Sequence, residues 1–336
     1  MCIWLGESKV KLHRAISITL AVIFRVAFAQ TPPGGPPSVY PAKPVRIVIP
    51  FAPGGATDVV FRMLTPSLSE NLGQSVVIDN RPGGAATIGM NVVAKSSPDG
   101  YTLGVANVSF TVNPFILGKL PFDTEKDFAP VSLVATITMV LAVHPSVPVR
   151  SVKEFIAFAK ARPGSLNYAS GGNASSGHLA CELFMYKTGI KMIHIPFKGG
   201  GPSVASTIGG QTAIIFTTVP SVIQHLKAGR LIGLGVSALT RDPALEEVPT
   251  IAEAGVPGYE FFDWQGVVVP AGTSADAINR LHREIVRALA DPELRKRIGA
   301  VGARVVGSTP EELNAFIKKD LATWSTVVKA TGIRID

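Results

Sequence analysis

Short apolar runs and helical repeats alternate along the chain from residue 45 onward. Residues 45–49 are apolar and β-branched, which predicts a buried strand. Residues 59–64 then place apolar side chains at helical spacing, and Thr57 or Asp58 is positioned to cap the first turn. Two glycines lie between these segments. The pattern therefore predicts a strand, a glycine loop and a helix in succession.

The same succession recurs further along the chain. Residues 75–79 and 101–106 predict a second and a third strand, and a glycine-containing loop and a helix lie between them. Residues 107–114 are predicted to form a loop at the carboxyl end of the third strand, where open α/β sheets bind ligands. Strands that alternate with helices at this spacing predict a parallel sheet covered on both faces.

A second series of elements follows residues 131–143, a long β-branched run that we predict crosses into a second domain. Its predicted elements are a helix opened by Ser151 and Glu154, strands at 166–170, 192–196, 213–218 and 231–236, glycine loops at 171–177 and 197–203, a helix at 178–188, and a short helix opened by Thr250 and Glu253. Residues 260–270 are predicted to cross back, and the remainder is helical. We therefore predict domain 1 at 43–142 and 268–336, and domain 2 at 143–267.

The first 29 residues have the pattern of a secretory signal peptide. A basic start precedes an apolar run at residues 15–24, and residues 27–29 form an A-x-A cleavage site. Arg25 is unusual between these features, so an uncleaved membrane anchor is the alternative. Residues 30–42 are rich in proline and glycine, which predicts a flexible leader. We expect an exported, periplasmic protein.

Composition narrows the class of protein. With 336 residues, 46% of them hydrophobic, the chain is long enough for two domains. Removal of residues 1–29, which hold four basic residues and one acidic residue, lowers the formal charge from +8 to +5. The charges are dispersed, without a basic run or an aromatic ladder, so we expect no nucleic-acid partner. Cys181 is then the only cysteine, which excludes an internal disulfide.

The first glycine loop, residues 50–58, has the chemistry of an anion site. Its two glycines allow backbone N–H groups to face a ligand, and the helix N-terminus adds positive partial charge. The loop contains no lysine or arginine, which favours a carboxylate over a phosphate. On these residues alone, a tight turn without a ligand explains the pattern equally well. Residues 171–177 also lack charge, and the two loops would face each other across a cleft.

Motifs of common enzymes are missing from the sequence. No G-x-S-x-G, H-E-x-x-H, C-x-x-C or G-x-G-x-x-G pattern occurs. Residues 201–205, around Ser203, differ from the first of these patterns at one position. The histidines lie in unrelated segments, and His178 is predicted to brace the second loop rather than to bind a metal. Together with the signal peptide, these absences favour a binding protein over an enzyme, with no cofactor and no metal.

Several longer motifs carry a family resemblance. They are YPAKPVR at 40–46, VIPFAPGGATD at 48–58, NRPG at 80–83, PDGYTL at 98–103, DFAPV at 127–131, NYAS at 167–170, FKGGGP at 197–202, VPTIAEAG at 248–255 and STPEE at 308–312. With these motifs in this order, the chain resembles the Bug family, the solute receptors of tripartite tricarboxylate transporters. The resemblance spans essentially the whole chain after the signal peptide.

The resemblance implies an α/β periplasmic-binding-protein fold of type II, with two domains joined by two crossing strands and a ligand cleft between them. It also implies that backbone amides, hydroxyls and waters hold one carboxylate of a small organic ligand, which a monomeric receptor hands to the membrane subunits of the transporter. The ligand-binding residues implied by these motifs are Ala52, Pro53, Gly54, Gly55, Ala56, Thr57, Asp58, Phe110, Asn113, Ser170, Asn173, Ser175, Ser176, His178, Phe197, Lys198, Gly199, Thr217 and Thr218.

The chain departs from the family pattern at positions that bear on the ligand. Phe110 stands where histidine is common, Ala213 replaces a frequent aspartate, and Thr217 and Thr218 replace a frequent Asp-Asn pair. Loss of polar groups at Phe110 and Thr217 predicts a less polar far end of the ligand, as in an aromatic or medium-chain carboxylate. The alternative function is an extracytoplasmic ligand-sensing subunit of a signalling system.

Overall fold

The computed structural model describes residues 40–334, and the compact unit that begins at Pro41 contains every element described below. The predicted signal peptide and residues 30–39 of the predicted leader lie outside the described residues. Within residues 40–334, none of the helices combines the length and the apolar character that a membrane span requires.

The strands of the described residues form one mixed sheet. They are β1 (Val45–Ile49), β2 (Val76–Asn80), β3 (Thr102–Ala106), β4 (Phe128–Val143), β5 (Asn167–Ser170), β6 (Ile193–Pro196), β7 (Ile214–Thr218), β8 (Ile232–Val236), β9 (Phe262–Pro270) and β10 (Ala303–Val305). The strand order is β2-β1-β3-β9-β4-β7-β5-β6, and β8 and β10 each pair with β4.

Helices occupy most of the connections between these strands. They are α1 (Ala56–Leu72), α2 (Thr87–Ala94), α3 (Val108–Ile116), α4 (Val152–Lys160), α5 (Ser176–Thr188), α6 (Gly200–Ile208), α7 (Val219–Lys227), α8 (Ala275–Leu289), α9 (Pro292–Ala300) and α10 (Pro310–Thr331), with a 3-10 helix at Gly84–Ala86 before α2. The predicted alternation of strands and helices is confirmed.

Two parallel groups of strands are joined through antiparallel pairs. β2, β1 and β3 run parallel to one another, and so do β6, β5 and β7. The first half of β4 pairs with β9 and β10, whereas its second half pairs with β7 and β8. β4 thus pairs with strands of both groups, and its crossing into a second domain stays a prediction. The domain boundaries at 142–143 and 267–268 stay a prediction.

The hydrophobic core is continuous across both groups of strands. It includes Val48 of β1, Leu141 of β4 and Phe184 of α5, and Cys181 is a free, fully buried thiol within it. The last helix, α10, contributes the buried Trp324 and packs against α3, β4 and also α5. α10 therefore contacts elements of both groups of strands.

Three segments differ from the sequence prediction. Residues 107–114 were predicted as a loop but form most of α3. Asn107 caps this helix by accepting from Ser109 N–H at 3.0 Å, and most side chains of the helix are buried. The predicted helix at Thr250 is a series of turns, although Thr250 accepts the expected bond from Glu253 N–H at 3.0 Å. The short strand β10 was not predicted. In each of these segments the local sequence does not determine the secondary structure, and tertiary packing does.

Candidate functional site

A cavity of about 1100 Å³, called the cleft from here on, opens where the glycine loops meet. Its lining residues are 50–56, 82, 83, 85, 86, 109, 139, 171, 173–177, 198–203, 216–218, 221 and 263. The loops after β1 and β5 both contribute, because each leaves the carboxyl end of a parallel strand. The two glycine loops identified in the sequence therefore line a single cavity.

The first glycine loop is fastened from behind by Asp58. One carboxylate oxygen, Oδ2, accepts from Gly54 N–H at 2.9 Å and from Arg62 Nε at 2.8 Å, and Oδ1 accepts from Asn80 Nδ2 at 3.0 Å. Asn80 Nδ2 also donates to Phe51 O at 3.1 Å. Asp58 was expected to bind the ligand. It is buried and does not line the cleft, so it supports the loop instead.

These bonds also set the charge state of Asp58. Burial raises its pKa, but the hydrogen bonds from Arg62, Gly54 and Asn80 outweigh burial and hold the pKa below its ordinary value. Asp58 therefore stays ionised at neutral pH. Thr57 is likewise buried and outside the cleft wall, and neither side chain caps α1.

The loop lines the cleft with glycine backbone and with the start of a helix. Gly54 has φ +86°, a left-handed conformation that glycine adopts without strain, and Gly55 is extended at φ −75° and ψ 167°. Gly55 and Ala56 line the cleft at the start of α1. N–H groups in the first turn of a helix have no intrahelical acceptor, so both are available to a ligand.

A second turn of the first group is held in a left-handed conformation. Ala85 and Ala86, which line the cleft, have φ +51° and +76°. Asn113, predicted as a ligand-binding residue, instead donates from Nδ2 to Ala85 O at 2.7 Å. It is buried and outside the cleft wall. Asn113 thus fixes the backbone of a lining residue.

The loop after β5 is braced by two predicted site residues. His178 Nδ1 accepts from Ala174 N–H at 3.2 Å and holds Ala174 at φ +56°. Ser170 Oγ accepts from Gly172 N–H at 3.1 Å. Both side chains are buried and outside the cleft wall, so the predicted bracing role of His178 is confirmed. Asn173, Ser175 and Ser176 line the cleft, as expected of ligand-binding residues.

Stacked rings support this loop from below. The ring of His178 lies 4.0 Å from that of His194 at an interplanar angle of 5°, and Tyr168 stacks on His194 at 4.9 Å. Burial, with a smaller contribution from His178, lowers the pKa of His194 to about 3, so this ring is neutral. Ser170 Oγ and His194 Nε2 lie 2.6 Å apart, which ties the stack to the loop.

The third glycine loop and the end of β7 complete the wall. Lys198 and Gly199 line the cleft, whereas Phe197 packs on the core beneath them. Gly199 N–H donates to Gly171 O at 3.0 Å, which joins the third loop to the second. Thr217 and Thr218 both line the cleft, and Thr218 Oγ1 lies 2.7 Å from Ser221 Oγ.

Phe110 lies away from the cleft. Its ring is buried and packs edge-on against Phe128 at 5.0 Å and stacks near Phe122 at 6.4 Å. It belongs to α3 and the hydrophobic core rather than to the wall. The expectation of an apolar far end of the ligand was based partly on Phe110, and that part has no support in the structure.

The sequence analysis missed Asp263, which lines the cleft from β9. Its Oδ1 accepts from Ser176 Oγ at 2.7 Å, and burial raises its pKa to about 6 even though that hydrogen bond lowers it. The available signal was an acidic residue between Phe262 and Trp264 in a predominantly apolar crossing strand. Ser109 and Met139 also line the cleft and were not predicted.

The cleft carries little charge. Of the described residues that line it, only Lys198 and Asp263 are ionisable. Groups of histidine, cysteine and acidic side chains suited to a metal ion do not occur within residues 40–334. The geometry can therefore bind an anion through backbone amides and hydroxyls, with one lysine and one carboxyl group at its edges.

Comparison with known proteins agrees with this geometry. A model of the tripartite tricarboxylate transporter family receptor matches residues 60–333. Protein BugT of Bordetella pertussis is 37% identical over 298 residues, which are 88% of this chain and 91% of BugT.

Two solved structures are similar over nearly their whole length. R. palustris Rpa4515 with adipate has a TM-score of 0.79 and 34% identity, covering 88% of this chain and 99% of that one. The periplasmic binding protein BugD has a TM-score of 0.77 and 30% identity, covering 88% and 99%. They confirm the periplasmic-binding-protein fold and the resemblance to the Bug family. The chain belongs to the tripartite tricarboxylate transporter receptor family of solute-binding proteins.

Proposed function

We propose that this protein is a periplasmic receptor that binds a small organic carboxylate in the cleft and delivers it to the membrane subunits of a tripartite transporter. The observation that carries the proposal is the first glycine loop. It brings the first-turn amides of Gly55 and Ala56 to the cleft wall while Asp58 holds the loop from behind.

The electrostatics of this loop suit a carboxylate. First-turn N–H groups and the helix dipole favour negative charge, and a carboxylate accepts several such bonds without an ionic side chain. Each hydrogen bond to a charged acceptor contributes about 1.5–3 kcal/mol, so two amides already supply useful affinity. Hydroxyls of Ser175 and Thr217 on the opposite walls add further donors.

The relatives support the ligand class and the transport role. Rpa4515, 34% identical to this chain, is described with adipate, a dicarboxylate. The matching family model is that of a transporter receptor, and BugD is a periplasmic binding protein. The predicted signal peptide at residues 1–29 supports export of this chain.

Binding can be tested by thermal unfolding of the mature chain, starting at Gln30, with a panel of mono- and dicarboxylates. A ligand at a hundredfold excess over its Kd should add about 2.7 kcal/mol to the free energy of unfolding and raise the melting temperature. Titration calorimetry then gives the Kd. If no carboxylate in the panel raises the melting temperature, the proposed ligand class is wrong.

Gly55→Val tests whether the first loop holds the carboxylate. A Cβ at Gly55 would meet only Ala52 O, at 3.9 Å, and φ is negative there, so the chain accommodates it. The branched side chain would, however, keep a ligand from the first-turn amides, and we expect binding to weaken at least tenfold. Gly118→Val is the matched control, because Gly118 also has open space around it and does not line the cleft. Equal affinity in the two variants would remove the loop from the site.

A further inference from the structure

Asp263 is the one acidic side chain among the described residues that line the cleft, and only one of its two carboxylate oxygens accepts a hydrogen bond from those residues. Oδ1 accepts from Ser176 Oγ at 2.7 Å. Oδ2 has no hydrogen-bond partner within residues 40–334, although the side chain is only 9% exposed. Oδ2 is not among the fully enclosed side-chain atoms that lack a partner, so it is open to the cleft that Asp263 lines, and a cleft group that donates to it is stabilising.

The position of Asp263 directs this oxygen to the ligand space. Asp263 pairs with Ile137 across the antiparallel strands, and Met139 lies two residues further along on the same face of β4. Met139 and Ser176 both line the cleft. Asp263 therefore lies where the crossing strands meet the loop after β5. It belongs to a different element, distant in sequence, from the amides at the start of α1.

No basic side chain of the described residues neutralises Asp263. Lys198, the cleft's other charged residue, is exposed, and neither residue takes part in an ion pair in the part of the chain described. A second carboxylate of a ligand placed against Oδ2 would meet like charge in a poorly solvated place. A hydroxyl or a protonated amine would instead donate to it.

We propose that Asp263 selects small carboxylates that carry a hydrogen-bond donor, a hydroxyl or a protonated amine, apart from the carboxylate held by the first loop. The inference rests on the proposed function, since it presumes a carboxylate in the cleft. It replaces the expectation of an apolar far end, because Phe110 lies in the core and Asp263 lies in the wall.

The test is a matched panel of three- to six-carbon acids that differ in one group. Hydrogen, hydroxyl, ammonium or carboxylate is placed at carbon 2 or at the chain end, as in butanoate, 4-hydroxybutanoate, 4-aminobutanoate and glutarate. Titration calorimetry of the wild type should rank an acid with a hydroxyl or ammonium group above its unsubstituted and dicarboxylate counterparts. In Asp263→Asn, which removes the charge at nearly constant shape, the preference for ammonium over carboxylate should fall about tenfold or more.

Two further variants separate charge from packing. Gly118→Val lies outside the cleft and leaves Asp263 and its bond from Ser176 Oγ intact, so the preference for donor-bearing acids should persist. Asp263→Ser is the substitute if Asp263→Asn does not fold, as judged by thermal unfolding without ligand, and it should lose the same preference.

The outcomes distinguish this inference from the proposed function. If acids bind but their ranking is the same in the wild type and in Asp263→Asn, the role of Asp263 is refuted and the receptor function stands. A wild type that prefers dicarboxylates or unsubstituted acids refutes it as well. If no acid binds to the wild type, the proposed function fails and the inference fails with it.

Discussion

Asp58→Ala should destabilise the protein and weaken ligand binding without touching the cleft wall. The side chain is 3% exposed and accepts from Gly54 N–H, Asn80 Nδ2 and Arg62 Nε. Alanine removes all three bonds and the charge. The loop that presents the first-turn amides then loses its attachment to the helix behind it.

The magnitude follows from the surroundings of each donor. The bonds from Gly54 and Asn80 end on a buried carboxylate, and bonds to charged groups contribute about 1.5–3 kcal/mol each. Asn80 keeps its bond to Phe51 O and Gly54 reaches water, so the lower end applies to both. The Arg62 side chain is exposed, and we assign it no share. The expected loss is about 3 kcal/mol in the free energy of unfolding.

Urea unfolding at pH 7 measures this loss, with Asp79→Ala as the control. Within residues 40–334, the ion pairs of Asp79 are with the solvent-accessible Arg46 and Arg81, so its removal should cost less than about 1 kcal/mol. Because the folded pKa of Asp58 is depressed, its contribution is present above the unfolded pKa of about 3.9 and is lost as pH falls through the folded value. The reasoning is refuted if Asp58→Ala is no less stable than Asp79→Ala, or if the difference between them is unchanged at pH 3.

Two further predictions concern groups beneath the wall. His178→Ala should weaken ligand binding about fivefold, because Ala174 N–H loses its acceptor. In His178→Asn the side-chain Oδ1 can replace Nδ1, so most of the affinity should return. Equal calorimetric Kd values in the two variants would contradict this. Burial raises the pKa of Asp320 to about 6 despite bonds from Thr111 Oγ1 at 2.6 Å and Trp264 Nε1 at 3.2 Å, so its stabilising contribution is present below pH 4 and is lost as pH rises through 6. Asp320→Asn should therefore gain stability relative to the wild type between pH 5 and pH 8 in urea unfolding, and a constant difference would contradict the assignment.

The parts of the fold that were predictable are those with strong local signals. Residues 45–58 contain an apolar strand, two glycines and a helix start within a short stretch, and residues 166–178 repeat that order. Because each unit has strong signals in its own sequence, both strand-loop-helix units were predicted correctly. The segment at 107–114 was not, because its helix combines the local cap at Asn107 with burial against α10, and the sequence shows only the first of these.

The candidate site was predictable to the level of its loops but not of its carboxylates. The family resemblance implied that Asp58 binds the ligand, and nothing in the local sequence distinguished Asp263 from other acidic residues. The structure separates them by their hydrogen bonds: Asp58 accepts from three donors and is fully used, whereas Asp263 accepts from one and has a free oxygen at the cleft. A carboxylate whose oxygens both accept hydrogen bonds from the protein supports the wall. A carboxylate with one oxygen still able to accept a bond can discriminate between ligands.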